Sequence, residues 1–256
     1  MIIKTYVITG AAKPGYGEAI TRLLLDQGFS VVGTYDPEDA ENAATLQSAL
    51  KTTDQLRLVA TDHADRNSLR SFIDSINTPI SGIVHAQFFF AMEDPVNFDH
   101  VLWDRSLAIN LTAPNFITHE LKDRLLDGGS IVVVTSTEGF IGSFGASAYA
   151  ATKAAMHNLI KTWANNLGSR KIRANVIAAG WIGGVMDTDE VFNMSRQITP
   201  LGRLGSPDEI ASVAKFLLSD DSAFVNSTVI TADGGYTGVD TISKYEFEAF
   251  RPGEKD

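Results

Sequence analysis

Cysteine is absent from this sequence of 256 residues, so disulfide bonds, thiolate zinc sites and cysteine nucleophiles are excluded. We predict no metal site. Basic residues are also scarce: 21 lysines and arginines stand against 31 aspartates and glutamates, which gives a formal net charge of −10. Because nucleic acids and anionic membranes are bound through basic surfaces, this charge disfavours both as partners.

Long hydrophobic runs are missing as well. The longest apolar stretch, over residues 83–92, is interrupted by a histidine and a glutamine, and it falls far short of the ~20 residues that span a bilayer. The N-terminus lacks the apolar core and small-residue cleavage site of a secretory signal. We therefore expect a cytoplasmic protein with no membrane partner.

Apolar runs of strand length alternate with segments of helical period along the chain. Short continuous Val/Ile runs are typical of buried parallel strands, and repeated β-α units place helices on both faces of the sheet. The predicted strands are Thr5–Thr9, Ser30–Thr34, Leu56–Ala60, Gly82–His85, Ser130–Thr135, Arg173–Ile177 and Thr228–Thr231. The predicted helices are Glu18–Gln27, Ala40–Leu50, Asn67–Ile76, Trp103–Leu121, Ala148–Leu167 and Pro207–Leu218. We predict an α/β fold: one Rossmann-type doubly wound parallel sheet in residues 1–240, followed by a tail over residues 241–256 that frays or packs on a partner subunit.

A glycine-rich segment, Thr9-Gly10-Ala11-Ala12-Lys13-Pro14-Gly15-Tyr16-Gly17, joins the first predicted strand to the first helix. Glycines permit close backbone approach, and a helix N-terminus presents free N–H groups to a pyrophosphate. A tight turn with no ligand is the alternative. The position at the first β-α junction favours a nucleotide.

Tyr149 and Lys153 form a Tyr-x-x-x-Lys pair in a predicted helix, where a spacing of four residues puts both side chains on one face. A free tyrosine has a pKa of ~10, too high for an efficient base at neutral pH. A lysine cation ~4 Å away contributes about 4 kcal/mol at an effective dielectric constant of ~20. We therefore expect Lys153 to lower the pKa of Tyr149, so that the phenol exchanges a proton with an alcohol or carbonyl oxygen.

Two further residues accompany this pair: Ser136, which lies 13 residues before Tyr149 at the end of a predicted strand, and Asn110. With them, the chain from about Thr5 to Gly238 resembles the short-chain dehydrogenase/reductase superfamily, and more closely its branch that includes the 3-oxoacyl-[acyl-carrier-protein] reductases. The resemblance implies an NAD(P)-dependent oxidoreductase that moves hydride between a nicotinamide and a carbonyl or secondary alcohol. It makes Tyr149 the general acid/base, places Ser136 on the substrate oxygen, and has Asn110 order a helix kink and a water leading to Lys153.

The resemblance also implies a set of cofactor contacts. They are Gly10, Lys13, Gly15, Tyr16, Gly17, Tyr35, Asp36, Asp62, His63, His85, Ala86, Tyr149, Lys153, Gly180 and Ile182. The chain departs from the family pattern in several places. In the glycine segment, four residues separate Gly10 from Gly15 and Pro14 replaces a small or basic residue. The other departures are His85 for an asparagine, Gln87 for a glycine, Ala179 for a proline and Gly184 for a threonine. Asp36, with no arginine after it, favours the ribose hydroxyls of NAD over a 2′-phosphate, while Lys13 leaves NADP possible.

The substrate lid of relatives corresponds here to residues 181–199. Aromatic side chains are candidates for pocket walls, with core or subunit contacts as the alternative: Phe88, Phe89, Phe90, Phe140, Phe144 and Trp181. A 3-oxoacyl reductase and a sugar or polyol dehydrogenase are both compatible with the family, as is a homotetramer or homodimer. A catalytically weak nucleotide-binding regulator and an epimerase or dehydratase remain as alternative functions.

Overall fold

A parallel sheet of seven strands forms the centre of the protein. The structure is a computed structural model that describes residues 3–50, 54–184 and 188–250. The strands are β1 (Thr5–Thr9), β2 (Ser30–Tyr35), β3 (Leu56–Ala60), β4 (Ile80–His85), β5 (Leu125–Ser136), β6 (Arg173–Ala179) and β7 (Val229–Ala232). Neighbouring strands are parallel, in the order β3-β2-β1-β4-β5-β6-β7. The predicted doubly wound α/β fold is confirmed.

Helices cover both faces of this sheet. They are α1 (Tyr16–Asp26), α2 (Ala40–Ala49), α3 (Arg66–Asp74), α4 (His100–Leu107), α5 (Ala113–Leu121), α6 (Ser147–Leu167), α7 (Asp189–Ile198), α8 (Pro207–Leu218) and α9 (Thr241–Ala249). Side chains of β1 alternate between the faces: Tyr6 and Ile8 pack in the core that contains α1 and α8, whereas Val7 packs in the core of α3, α5 and α6. Burying such an aliphatic side chain contributes about 1.5–3 kcal/mol. No helix among the described residues is both long and apolar enough to cross a membrane.

The predicted helix Trp103–Leu121 is observed as three consecutive pieces. A π-helical turn over Ala108–Thr112 separates α4 from α5, and Ala113 N–H bonds to the carbonyl of Ala108. Pro114 explains the interruption, because it has no N–H for the carbonyl of Asn110 and its ring crowds that carbonyl. The turn therefore sets Asn110 at a distortion, a kind of site often used for function.

Two observed helices were not among the predicted ones. Helix α7 lies inside the predicted lid and is capped by Thr188, whose side chain accepts from Val191 N–H. Helix α9 lies in the predicted tail and is capped by Asp240. The Lys244 ammonium donates to the carbonyl of Gln197, which ties α9 to α7. The boundary between a domain of residues 1–240 and a tail stays a prediction, and residues 185–187 of the lid lie outside the described part of the chain.

The carboxyl ends of the central strands form the edge at which a site is expected. Strands β2 and β3 lie on one side of β1, and β4 to β7 lie on the other, so the strand order reverses direction at β1. In open α/β sheets, ligands bind in the crevice outside the strand ends at this reversal. The glycine segment follows β1, residues 86–90 follow β4, and Ser136 ends β5, so all three lie at this edge.

Candidate active site

The glycine loop, defined as residues 9–17, approaches the start of α1 too closely for any side chain at Gly17. A Cβ there would lie 2.2 Å from the carbonyl oxygen of Gly10. Gly10 and Gly15 have φ values of 69° and 100°, in the left-handed region that favours glycine. The additional residue of the loop is accommodated by a turn in which Lys13 N–H donates to Gly10 C=O at 3.1 Å. The loop therefore keeps its close passage over α1 despite its greater length.

A buried threonine holds the base of the glycine loop. The N–H of Gly10 donates to Thr34 Oγ1 at 3.0 Å, and the N–H of Ala11 donates to the Thr34 carbonyl at 2.7 Å. His63 Nε2 lies 3.0 Å from the same Thr34 hydroxyl. Burial lowers the pKa of His63 to about 4, so its ring is neutral near pH 7. The neutral imidazole of His63 therefore stabilises the glycine loop through the Thr34 hydroxyl.

Replacing His63 by leucine is expected to weaken NADH binding several-fold and to lower the melting temperature. The Thr34 hydroxyl would lose a buried hydrogen-bond partner, which costs about 1–3 kcal/mol, and Gly10 would be held less firmly. NADH titration by fluorescence and thermal melting measure both effects. His63→Gln, whose amide can bond the hydroxyl, is the matched control and should retain most of the affinity. A leucine variant with unchanged NADH affinity would show that the loop does not depend on the histidine.

Carboxylates surround the end of β2, where Tyr35 is the last strand residue. Asp36 Oδ1 accepts a hydrogen bond from Glu38 N–H at 3.2 Å, which caps the short turn at residues 37–39. Asp39 lies 3.9 Å from the ammonium of Lys13. Lys13, the cation that the sequence analysis considered for the 2′-phosphate of NADP, is therefore already paired with a carboxylate.

The end of β4 meets the glycine loop mainly through backbone. Ala86 N–H donates to Thr9 C=O at 3.1 Å, and the backbone of Gln87 lies 2.9 Å from the position of a Cβ on Gly10. Asp62 Oδ1 accepts from Ala64 N–H at 2.8 Å and turns the chain after β3. Gly10, Ala86 and Asp62, which are all predicted cofactor contacts, lie at the expected edge of the sheet.

His85 is placed differently from the other predicted cofactor contacts. Its Nε2 lies 2.8 Å from Thr118 Oγ1 on α5, and its ring packs 5.9 Å from the ring of Trp163 on α6. Burial lowers the pKa of His85 to about 3. The imidazole is therefore part of the core between β4 and these helices, and only the backbone of His85 is near the glycine loop. The cofactor contact expected at this strand end would therefore be made by the backbone of His85, and it stays a prediction.

The catalytic residues predicted from the sequence converge at the start of α6. The ammonium of Lys153 lies 4.9 Å from the centre of the Tyr149 ring, and Ser136 is near enough to lower the pKa of the Tyr149 phenol through a side-chain hydrogen bond. Glu93 caps the helix, since Oε1 accepts from Ala148 N–H at 2.6 Å. The end of β5 and the first turns of α6 thus bring a phenol, a hydroxyl and a cation together.

Asn110 is buried beside this group and uses its amide on the backbone of Phe89. Its Oδ1 accepts from Phe89 N–H at 2.8 Å, and its Nδ2 donates to Phe89 C=O at 2.9 Å. The kink expected at Asn110 is present. The structure shows the amide holding the segment after β4, rather than showing the expected link to Lys153.

The ring of Phe88 lies between the glycine loop and the catalytic helix. The ammonium groups of Lys13 and Lys153 lie 5.0 Å and 5.8 Å from its centre, and the Tyr16 ring is 5.6 Å away. Burial raises the pKa of Tyr16, and an electrostatic interaction with Tyr149 raises it further. The glycine loop and the predicted catalytic residues therefore lie side by side, with the Phe88 ring between them, at the cleft outside the strand ends.

Sequence and structure comparisons agree on the family. A family model described as enoyl-(acyl carrier protein) reductase matches residues 10–237. The chain is 34% identical over 253 residues to the uncharacterized oxidoreductase YxbG of Bacillus subtilis (strain 168), with 91% of this chain and 90% of that protein covered. It is 31% identical to the 3-oxoacyl-[acyl-carrier-protein] reductase FabG of Thermotoga maritima, with 91% and 97% covered. The chain belongs to the short-chain dehydrogenase/reductase superfamily.

A solved structure supports the same assignment. The crystal structure of a blue fluorescent protein from a metagenomic library, in complex with NADPH, superposes with a TM-score of 0.85 at 26% sequence identity, covering 91% of this chain and 97% of that one. As a short-chain dehydrogenase/reductase, the chain is an NAD(P)-dependent oxidoreductase.

The segment after β6 has the backbone arrangement expected of this short-chain dehydrogenase/reductase. Gly205 N–H donates to Trp181 C=O and Gly183 N–H donates to Gly205 C=O, both at 2.9 Å. Ile182 and Gly205 are thus paired in an isolated parallel bridge that does not use the N–H and C=O groups of Ile182. The backbone of Ile182 was predicted to hold the nicotinamide carboxamide. A Cβ on Gly180 would lie 2.7 Å from Asp233 Cα, so glycine is required for the packing of this strand end.

The acid–base properties of the catalytic pair differ from the expectation. Burial raises the pKa of Tyr149, Glu138 raises it further, and the hydrogen bond from Ser136 lowers it. Burial lowers the pKa of Lys153 to about 7, against an opposing effect of Glu138. The expected lowering of the Tyr149 pKa is therefore not the net result in the protein alone, because desolvation disfavours the charged forms of both groups.

Glu138 is a functional candidate that the sequence analysis missed. It lies two residues after Ser136, and its charge shifts the pKa of both Tyr149 and Lys153. Its short distance from Ser136 along the chain was an available signal. The resemblance assigned no function to a carboxylate at this position, so the sequence analysis gave Glu138 no role.

Proposed function

We propose that this short-chain dehydrogenase/reductase transfers hydride between NAD and a neutral carbonyl or secondary alcohol, with Tyr149 as the general acid/base. The observation that carries the proposal is the convergence of Ser136, Tyr149 and Lys153 at the cleft that begins at the glycine loop. A hydroxyl that already bonds the phenol is positioned to share a substrate oxygen with it.

The protonation states favour the reductive direction at neutral pH. The raised pKa keeps the Tyr149 phenol protonated, so it can donate a proton to a carbonyl oxygen while Ser136 donates a hydrogen bond to the same oxygen. In oxidation Tyr149 must first lose its proton, which requires a higher pH or additional positive charge nearby. A bound nicotinamide would supply or accept the hydride.

The residues of the cleft fit a dinucleotide. The Gly17 backbone allows close approach at the N-terminus of α1, where free N–H groups and the helix dipole favour a pyrophosphate. Asp36 lies at the end of β2, where a carboxylate accepts hydrogen bonds from ribose hydroxyls. Because Lys13 is paired with Asp39, this edge carries excess negative charge, which supports NAD over NADP.

Replacing Asp36 by asparagine is expected to raise the ratio of kcat/KM with NADPH to that with NADH by at least about tenfold, equivalent to ~1.4 kcal/mol. Asparagine keeps the cap on Glu38 N–H but removes the charge that repels a 2′-phosphate. Steady-state kinetics with each nucleotide measure the ratio. Glu38→Gln, which removes a charge from the same turn, is the control and should change the ratio less. An unchanged ratio in the asparagine variant would contradict this account of NAD preference.

The function is tested by titrating the purified chain with NADH and with NADPH, followed by nicotinamide turnover with a panel of ketones. Tight NADH binding and stoichiometric NADH consumption are expected. Turnover of substrate without net nicotinamide change would indicate an epimerase or dehydratase. If neither nucleotide binds, the proposal is overturned and a regulator becomes the better interpretation. We further expect a homotetramer or homodimer, which light scattering measures.

A further inference from the structure

Glu138 is fixed at the reaction centre by hydrogen bonds at both its backbone and its side chain. Its N–H donates to Ser136 Oγ at 3.2 Å, and its Oε1 accepts from Ser143 Oγ at 2.8 Å. The carboxylate is therefore held in a defined place by residues on both sides of it in the chain. The serine that anchors its backbone is the same one that bonds the Tyr149 phenol.

The turn that carries Glu138 is pressed against α6. A Cβ on Gly139 would lie 2.4 Å from His157 Cε1, and the Phe140 ring stacks 4.6 Å from the same imidazole. His157 follows Lys153 by one helical turn and bonds Thr135 Oγ1 at 2.8 Å. This contact fixes the distance between the turn and the catalytic helix, so the Glu138 charge has a constant effect on Tyr149 and Lys153.

Two of the other ionisable groups around this centre are neutral near pH 7, whereas Glu93 and Lys153 carry charge. Burial acts to raise the pKa of the Glu93 carboxylate, but hydrogen bonds from Ser147 and Ala148 outweigh burial and lower this pKa, and the amine of Lys153, with a pKa of about 7, is partly protonated. Burial lowers the pKa of His157 to about 4, with Lys153 and Lys161 acting in the same direction, so the imidazole is neutral. Burial and Tyr149 raise the pKa of Tyr16 on α1, which stays a neutral phenol. Glu93 is occupied in capping α6.

The rim of this part of the cleft is apolar. The Phe90 ring packs edge-on against the Tyr149 ring with centroids 5.2 Å apart. Phe140 and Phe144 are exposed beside the turn, with 51% and 98% of their surfaces accessible. A charge surrounded by apolar surface is poorly screened by water, so its effect on a nearby substrate charge is enhanced.

We propose that Glu138 is a specificity-determining residue that selects neutral carbonyl substrates over those with a carboxylate or phosphate next to the reacting carbonyl. This inference rests on the proposed function. A substrate oxygen bound between Ser136 and Tyr149 places the adjoining atoms of the substrate near Glu138, where a second negative charge is repelled. A neutral ester or ketone meets no such repulsion and gains contact with the apolar rim.

The test uses two ketones that differ in charge: ethyl acetoacetate, which is neutral, and acetoacetate, which is an anion. We expect NADH-dependent reduction by the natural chain to favour the ester in kcat/KM. Glu138→Gln keeps an oxygen for Ser143 but removes the charge, and should lower the ester-to-acid ratio about tenfold. Glu138→Asp keeps the charge and should preserve the preference, although its shorter side chain shifts the carboxylate.

A pH profile separates an electrostatic role from a structural one. Glu138 raises the pKa of Tyr149, so Glu138→Gln should move the pH midpoint of alcohol oxidation to lower values. A variant that is merely less well folded would lose rate at every pH without moving the midpoint. Circular dichroism and the NADH dissociation constant confirm that the variants are folded.

The outcomes distinguish the inference from the function beneath it. An unchanged ester-to-acid ratio in Glu138→Gln overturns the role of Glu138 and leaves the dehydrogenase function standing. The role of Glu138 is equally overturned if the natural chain binds NADH but reduces neither ketone, or if it prefers the acid. Failure to bind either nucleotide overturns the proposed function, and the inference with it.

Discussion

Replacing Tyr149 by phenylalanine is expected to reduce kcat/KM for carbonyl reduction by about 10²–10⁴-fold, the range typical of a lost general acid. In the proposed mechanism the phenol is the proton donor, and phenylalanine fills the same space without a proton to give. NADH affinity should change little, because the ring that Lys153 and Phe90 contact remains. The measurement is NADH consumption with a ketone substrate, together with a separate NADH titration.

The control for this variant is Tyr245→Phe on α9. Tyr245 is 75% exposed, and losing its hydroxyl should leave both activity and NADH affinity unchanged. The remaining rate of Tyr149→Phe should also lose its dependence on high pH in alcohol oxidation, because the group with the raised pKa is gone. Activity close to that of the natural chain would exclude Tyr149 as the acid and would point to another proton donor in the cleft.

Replacing Gly17 by alanine is expected to weaken NADH binding by about 100-fold, roughly 2.7 kcal/mol. The added methyl would lie 2.2 Å from the Gly10 carbonyl oxygen, so the glycine loop must move away from the start of α1. Alanine is otherwise favoured over glycine in a helix by about 1 kcal/mol. A loss of affinity despite that gain would show that close backbone approach is what this position requires. Fluorescence titration with NADH measures the effect.

Gly168→Ala is the matched control for the Gly17 variant. A Cβ at Gly168 meets nothing within 4 Å, and the φ of −62° at Gly168 suits any residue. NADH binding should therefore be unchanged. If Gly17→Ala bound NADH as tightly as the natural chain does, the glycine loop would not be the pyrophosphate site, and the placement of the dinucleotide would have to be revised.

The sequence alone was enough to predict the fold class, which the structure confirms, and to name the candidate site residues. Strands β1 and β3 have the predicted bounds, and the others differ at their ends, because continuous Val/Ile runs between turn residues specify buried parallel strands locally. Helix α8 also has its predicted bounds. The spacing of Tyr149 and Lys153 put both on one face of a helix, a relationship that depends on helix geometry alone. Helices α7 and α9 were not predicted, although Thr188 and Asp240 are capping residues at their N-termini.

Only the tertiary structure decided what the side chains of the site contact. His63 follows β3 and His85 ends β4, the next strand along the chain, yet His63 stabilises the glycine loop through Thr34 whereas His85 packs in the core against Thr118. The acid–base behaviour of Tyr149 was equally inaccessible, because spacing predicts proximity to a charge but not the extent of burial. Such contacts join residues far apart in the chain, and desolvation depends on everything packed around a group. Local pattern therefore determined the elements and the candidate residues, whereas long-range packing determined their partners and their protonation.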